Sequence, residues 1–456
     1  MPHLDSFASH TLAQFCVNLR LQDVPDDVVA MAKTCIADTV AVATYGSAMP
    51  WSRTVSDYAQ RYGAGGPCRL LGAGNVRVHA PYAALANGAF AHAFEQDSLR
   101  KPGAGVHPGA ALLPPALALA QELNISGARL LLAFIAGCEV MFRIGDASLH
   151  SSEGRGFHAP GLTGPYGAAV AAGMVLGLDA QQLQDALGIA GSLSGGLLAF
   201  SQAKRGAEVK RLHLGRACES GVLAARLALA GYAGPETILE GRFGFLEAYC
   251  QRSEPQRLTA GLGSRWETRR ICIKAYACHI TAHTAIDSLR TLMQEHAFDG
   301  NDVETIALQV SDKVLSHHDI RAPGNIMQAQ YSVPFCVALA LHRDPADPGA
   351  FDDSAVTDAR ILHSCRRMVL RPWATEPTHA ETRSSWCSQL RVTLKNGETF
   401  CRESDSFAGS PERPLSSAAL NAKFSRLTAA LEPATAASWL QHINDLDAQP
   451  DMAWLT

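Results

Sequence analysis

The chain has 456 residues, 47% of them hydrophobic and 18% charged, with 39 Lys and Arg against 43 Asp and Glu for a net charge of −4. That balance is apolar enough for a large core and excludes a disordered chain. No basic block is present to track a phosphate backbone, so nucleic acid is not an expected partner.

The opening stretch, Met1 to Leu19, carries Asp5, His10 and Gln14 and lacks the basic start and unbroken apolar run of a secretion signal. A cytoplasmic location is therefore expected. Val24-Pro25-Asp26-Asp27 suits a helix start, with Pro at the first turn and acidic residues beside it. Alanine-rich helical stretches follow at His79 to Phe94, Ala110 to Leu123, Ala128 to Ile144, Tyr166 to Leu178, Ala180 to Leu193 and Gly215 to Ala230. Gly46, Gly177 and Gly231 mark expected helix ends. The longest charge-free stretch, Gly156 to Leu178, contains Pro160 and Pro165 and reads as a buried helical hairpin, not a membrane span.

The character changes near Thr268. Arg270 to Lys274, Ile306 to Val310 and Met368 to Leu370 read as strands. Leu390 to Leu394 and Glu398 to Cys401 flank Asn396-Gly397, a strong hairpin signal. Helices are expected between them at Thr281 to Glu295 and Ser332 to Leu341, and again in the tail from Ser416 to Leu446. The expected fold is mainly α: a large all-helical domain over 1–267 and 406–456, with a smaller α+β lid domain over 268–405. Twelve cysteines are scattered from Cys16 to Cys401 without a Cys-x-x-Cys pair, so they read as reduced, mostly buried thiols and no zinc site is expected.

Four clusters carry candidate chemistry. The first is His92-Ala93-Phe94-Glu95-Gln96-Asp97-Ser98-Leu99-Arg100-Lys101, joined to His107 by a glycine-rich loop. Glycines let backbone approach a ligand closely, and Arg100 and Lys101 suit a carboxylate; a solvated helix end is the plainer alternative. The second is His158 after Gly156-Phe157, opening the charge-free stretch. The third is Lys210-Arg211-Leu212-His213 at a helix start, where cations are not the favoured residues. The fourth is Lys274 with His279, at a junction between strand and helix, with His283 beyond and Tyr331 as a candidate hydroxyl. Histidines supply acid and base near neutral pH, and lysines supply fixed positive charge. Removing a proton next to a carboxylate needs both. No Walker loop, Gly-x-Ser-x-Gly or His-Glu-x-x-His is present, which leaves phosphoryl transfer, serine hydrolysis and zinc proteolysis without support.

These motifs resemble those of the MmgE/PrpD family, which includes 2-methylcitrate dehydratase, cis-aconitate decarboxylase and iminodisuccinate epimerase. The likeness spans nearly the whole chain. The family's His-x-x-Asp-Phe-Asp-Asp-Thr reads His92-x-x-Glu95-x-Asp97-Ser98-Leu99 here, so Glu95 stands for the first Asp, Asp97 is kept, and Ser98 and Leu99 replace Asp and Thr. His107-Pro108, Gly156-Phe157-His158, Lys210-x-Leu212-His213 and Lys274-x-x-x-x-His279 match further family motifs, and Tyr331 an aromatic site position.

The resemblance implies a helical domain built from both chain ends, an α+β lid, a site between the two domains and a homodimer. It implies His107, His158, Lys274, His279 and Asp97 as catalytic residues, with Glu95, Lys210, His213 and Tyr331 binding substrate, while Arg100 and Lys101 depart from the family and suggest different carboxylate contacts to substrate. No metal or cofactor is expected. A hydroxy-acid dehydratase is the leading expectation, with an epimerase of an imino- or amino-dicarboxylate, a decarboxylase of a cis-aconitate-like acid and a non-catalytic helical scaffold as alternatives.

Overall fold

The computed structural model describes residues 7–103, 106–203, 208–373 and 386–455. The expectations for the first six residues, and for Ala104 and Gly105 in the loop before His107, lie outside the described residues. The fold is mainly α with a smaller α+β portion, as expected. It divides into unit 1, Met1–Cys272 with Leu420–Thr456, and unit 2, Ile273–Ala419.

Among the described residues, the helices of unit 1 include α1 (Ala8–Asn18), α2 (Asp26–Ser47), α3 (Pro50–Gly63), α4 (Ala80–Ala91), α5 (Pro108–Leu123), α6 (Gly127–Ala147), α7 (Ala159–Leu176), α8 (Ala180–Ser192) and α9 (Val209–Leu229), with Pro433–Asn444 added from the tail. Helix α7 is central, packed by α5, α6, α8 and α9. Its first fifteen residues, Ala159 to Gly173, are all buried, which explains why this stretch carries no charge.

The expected hairpin at Gly156 to Leu178 is instead one continuous helix. Pro160 sits in its first turn, where no backbone donor is needed. Pro165 removes the amide that would bond the carbonyl of Gly161, and that carbonyl accepts from the Gly195 amide at 3.1 Å instead. The helix stops at Gly177, in the left-handed region at φ 77°.

The same device recurs in α5. Pro114 and Pro115 lie inside it and free the carbonyls of Ala110 and Ala111. The Cys218 thiol of α9 donates to both, at 3.1 and 3.5 Å.

Glycines set how closely α9 approaches its neighbours. A Cβ on Gly215 would stand 2.5 Å from the Leu85 carbonyl of α4, and one on Gly221 would overlap Ala168 of α7. Helix α2 is long and apolar enough by composition to cross a membrane, yet it packs against α4, α5 and α6 inside unit 1.

Short strands complete the unit. β1 (Ala64–Arg69) pairs with β2 (Arg77–Val78), which the Gly- and Pro-rich sequence there does not announce. β3 (Leu99–Arg100) pairs antiparallel with β4 (Ile271–Cys272), so only two residues of the strand expected at Arg270 to Lys274 form.

Unit 2 holds one four-stranded sheet. β5 (Val303–Val310) lies between β6 (Val369–Pro372), which is parallel to it, and β7 (Ser388–Leu394), which is antiparallel. β7 continues to β8 (Thr399–Ser404) through the expected Asn396-Gly397 turn, where Gly397 has φ 92°. Alternate residues of β7, from Ser388 through Leu390 and Val392 to Leu394, are buried. The helix His283–His296 packs on β7 and β8, Val333–His342 packs on that helix, and Ala359–Arg367 packs on Val333–His342.

Cys218→Ala should leave two buried carbonyls without a donor, at a cost of about 1–3 kcal/mol. It should lower the melting temperature by several degrees, and Cys218→Ser, which keeps a donor, should recover most of that loss. Equal melting temperatures for Cys218→Ala and the parent would show that the thiol bonds contribute nothing.

Candidate active site

In unit 1 the candidate residues sit at helix ends. His92 follows the last residue of α4, His107 is the N-cap of α5, and His158 is the N-cap of α7. Lys210 and His213 lie in the first turns of α9. α4, α5, α7 and α9 pack on one another, which brings these ends together. Three of the ends are N-termini, where exposed amides favour anions.

Asp97 is the hub. Its Oδ2 accepts from His92 Nδ1 at 2.8 Å and lies 2.8 Å from His107 Nδ1. Asp97 and His92 are each 1% exposed. The two rings stand edge to face with centroids 4.9 Å apart, and His92 is 6.3 Å from His158. A carboxylate cannot donate, so His92 Nδ1 carries its proton toward Asp97 and that ring's basic lone pair is on Nε2, whereas His107 Nδ1 is a close charge contact that lacks hydrogen-bond geometry. In His92, Nε2 is buried and has no hydrogen-bond partner among the described residues, as is also true of Asp97 Oδ1.

The charges follow from this burial. Burial pushes His92 down to about 4, with Lys210 adding to the effect and Asp97 opposing it. His158 is held well below the ordinary imidazole range by burial, and next by Lys210. Burial would raise Asp97, but His92 and His107 outweigh it and hold the carboxyl well below its usual range. Ligand atoms of His92, Asp97 and His107 lie within 4.8 Å of one another, so these are the residues that could hold a divalent ion.

Around the hub, Lys210 pairs with Glu95, and both are buried. Glu95 itself takes φ 57°, a region unusual for a side chain of its size. The turn is clamped at Ala93, whose carbonyl accepts from Arg211 Nε at 2.7 Å and Trp51 Nε1 at 3.1 Å, while the Arg211 guanidinium lies 4.0 Å over the Trp51 ring. Ser98 accepts from the Gly109 amide at 3.1 Å and from the Cys35 thiol at 3.2 Å, tying the turn to the start of α5. His213 reaches His158, Nδ1 to Nδ1, at 2.8 Å.

Arg100 does not join this cluster. Its guanidinium donates to Glu267 Oε2 at 2.8 and 3.1 Å, to Asp146 at 3.0 Å and to the Pro102 carbonyl at 2.6 Å. With internal acceptors taking it up, it is a structural cation and not the carboxylate contact that its sequence position suggests. Lys101 is buried beside it.

In unit 2, Lys274 is 2% exposed. Near it, burial would raise the Cys278 thiol, but Cys336, His283 and Lys274 bring it down to about 6. His279 stacks on His318 with centroids 4.1 Å apart, and Tyr331 stands 5.2 Å from His279 and 5.8 Å from His318. His318 Nδ1 lies 3.0 Å from the Tyr331 carbonyl. His318 and Phe200 have no motif to announce them. His283 is a core residue, packed against Tyr276 and Phe407.

Because His92 and His158 are buried with depressed pKa values, the unfolded chain binds protons that the folded one does not. Their stabilisation is complete above about pH 6.5 and is lost as pH falls toward 4, by about 3 kcal/mol for His92. The melting temperature should therefore drop between pH 7 and pH 5, and His92→Gln should flatten that slope. An unchanged slope in the variant would refute the assignment.

Residues 10–258 match the profile of the MmgE/PrpD N-terminal domain and residues 276–447 that of the MmgE/PrpD C-terminal domain. The chain is 33% identical over 352 residues to a cis-aconitate decarboxylase from Aspergillus terreus, covering 72% of this chain and 71% of that protein. It is 27% identical over 419 residues to the cis-aconitate decarboxylase of Mus musculus, covering 89% and 83% of the two chains. With the one from Homo sapiens the identity is 27% over 451 residues, covering 96% and 91%. With both of its halves matched and its histidine-bearing helix ends assembled around Asp97, the chain belongs to the MmgE/PrpD family.

Proposed function

We propose that this protein is a lyase that forms and quenches a carbanion next to a carboxylate on a small polycarboxylic acid, releasing CO2 from an acid like cis-aconitate. The observation that carries the reading is the Asp97 hub. Its Oδ2 stands 2.8 Å from His107 Nδ1, a contact that favours the ring's proton on that side and leaves Nε2 to exchange a proton with substrate. The names of the relatives favour decarboxylation over the dehydratase and epimerase expectations.

In this reaction the bond between carbon and carboxyl breaks and its electron pair moves into the remaining unsaturated acid. A proton then closes the new C–H bond. Lys210 stabilises the carboxylates as charge builds, and His107 and His158 transfer protons; the family resemblance is what adds Lys274 as a second stabilising cation. The remaining carboxylates hold the electron pair, so no cofactor is required.

A hydroxy-acid dehydratase is the second reading. It is favoured by the open acceptors on Asp97 Oδ1 and His92 Nε2, which suit a substrate hydroxyl.

Incubation with di- and tricarboxylates in heavy water, followed by NMR, separates the two. Loss of CO2 with one deuterium gained supports the decarboxylase. A new alkene without CO2 supports the dehydratase, and no change in any acid sinks both. On the true substrate, His107→Gln should lower turnover by roughly 100- to 10000-fold. Lys274→Met should lower it by roughly 100- to 1000-fold. Either variant within a few-fold of the parent would remove that residue from the mechanism. Turnover should survive EDTA; loss on chelation that a divalent ion restores would move the role of the His92, Asp97 and His107 cluster to metal binding.

A further inference from the structure

We propose that His158 and His213 form a two-histidine proton relay, in which His213 carries protons between water and His158. The proposal rests on the reading of His158 as a proton-transfer group, and gives His213 a role beyond contact with substrate.

The geometry is specific. The two Nδ1 atoms are 2.8 Å apart, which requires one proton between them. His158 is 6% exposed, whereas His213 is of intermediate exposure. The pair is enclosed. Phe200 meets both rings edge on, at 5.1 and 5.9 Å. Gly196, at φ 145°, brings backbone so close that a Cβ there would stand 3.2 Å from His213 Nδ1. The His158 amide donates to the Gly196 carbonyl at 3.0 Å. Nothing larger than glycine fits at 196 without pushing on the bridge.

Burial, and next the charge of Lys210 one helical turn before His213, hold both rings toward the neutral form. Two neutral rings sharing one bridging proton must be opposite tautomers. If His213 donates through Nδ1, then His158 carries its own proton on Nε2 and is an acid. If His158 donates, its Nε2 is bare and it is a base.

One step links the two states. His158 gives its Nε2 proton to the carbanion, the bridging proton moves from His213 Nδ1 to His158 Nδ1, and water supplies a proton to His213 Nε2. Every ring ends neutral, and one proton has passed from solvent to substrate. The reverse sequence removes a proton from substrate. The buried histidine thereby changes role without ever becoming an imidazolium beside Lys210.

Two measurements test the relay. In the full-length protein labelled with 15N-histidine, long-range 1H–15N correlations report the tautomer of each ring without any substrate. Opposite tautomers for His158 and His213, with the His158 pattern altered in His213→Phe, are expected. The same tautomer on both, or no change at His158, overturns the proposal whatever the reaction. In turnover, His213→Ala should lower kcat by about 100-fold, with KM within about threefold, and added imidazole should restore much of the loss. A raised KM with unchanged kcat would make His213 a substrate contact, and failure of imidazole to rescue would also overturn the relay. Opposite tautomers in a protein that turns over none of the tested acids would support the relay while sinking the proposed function.

Discussion

Burying a carboxylate as deeply as Asp97 is costly unless the charge is satisfied, and that requirement organises the surrounding helix ends. His92 Nδ1 donates to Oδ2 from the end of α4, and the His107 ring at the start of α5 brings its Nδ1 to 2.8 Å from the same oxygen. The arrangement ties a tautomer to a fold. If either helix end shifted, the carboxylate would lose a partner. Keeping His92 neutral with a bare, buried Nε2 costs less than protonating it there, because an unpartnered lone pair carries far less desolvation penalty than a buried cation.

The convergence of helix ends depends in turn on close packing of small residues. Gly215 and Gly221 let α9 lie against α4 and α7, which places Lys210 and His213 beside Glu95 and His158. The prolines inside α5 and α7 would otherwise leave carbonyls unpaired in the core. Their substitutes are the Cys218 thiol and the Gly195 amide. The Gly195 bond also sets the backbone that runs on through Gly196 to the His158–His213 pair. Packing, backbone satisfaction and site geometry are therefore one problem in this unit.

Much of this was legible in the chain. Alanine-rich periodicity located most helices, and the Asn396-Gly397 turn located the hairpin. Histidines next to Gly, Pro and Lys at helix starts marked residues that the fold does bring together in unit 1: His107, His158, Lys210 and His213. Other features were hidden because their signal is not local. Pro165 reads as a break in a sequence, yet the amide of Gly195, thirty residues away in the chain, donates to the carbonyl it frees and makes it tolerable. Arg100 reads as a ligand for an anion, but its partners are Glu267 and Asp146, which no spacing rule connects to it. His318 and Phe200 join their clusters largely through ring contacts, and a ring contact leaves no motif.

The pairing of Lys210 with Glu95 bears on how an acid enters such a site. An unpaired buried lysine would lose its own proton as readily as it would attract a carboxylate. A glutamate partner balances the buried ammonium and keeps it at the head of α9, where its charge adds to the burial that depresses His158 and His213. Under the proposed function, an arriving carboxylate meets a cation already positioned and exchanges with Glu95. The left-handed backbone at Glu95 fits this role. A turn held in a sparsely populated conformation by Arg211, Trp51 and Ser98 keeps the carboxylate on the lysine through constraint of the chain as well as through charge. Glu95 stands where the resemblance places an Asp, and its extra methylene occupies space beside Lys210 while Asp97 keeps its own contacts.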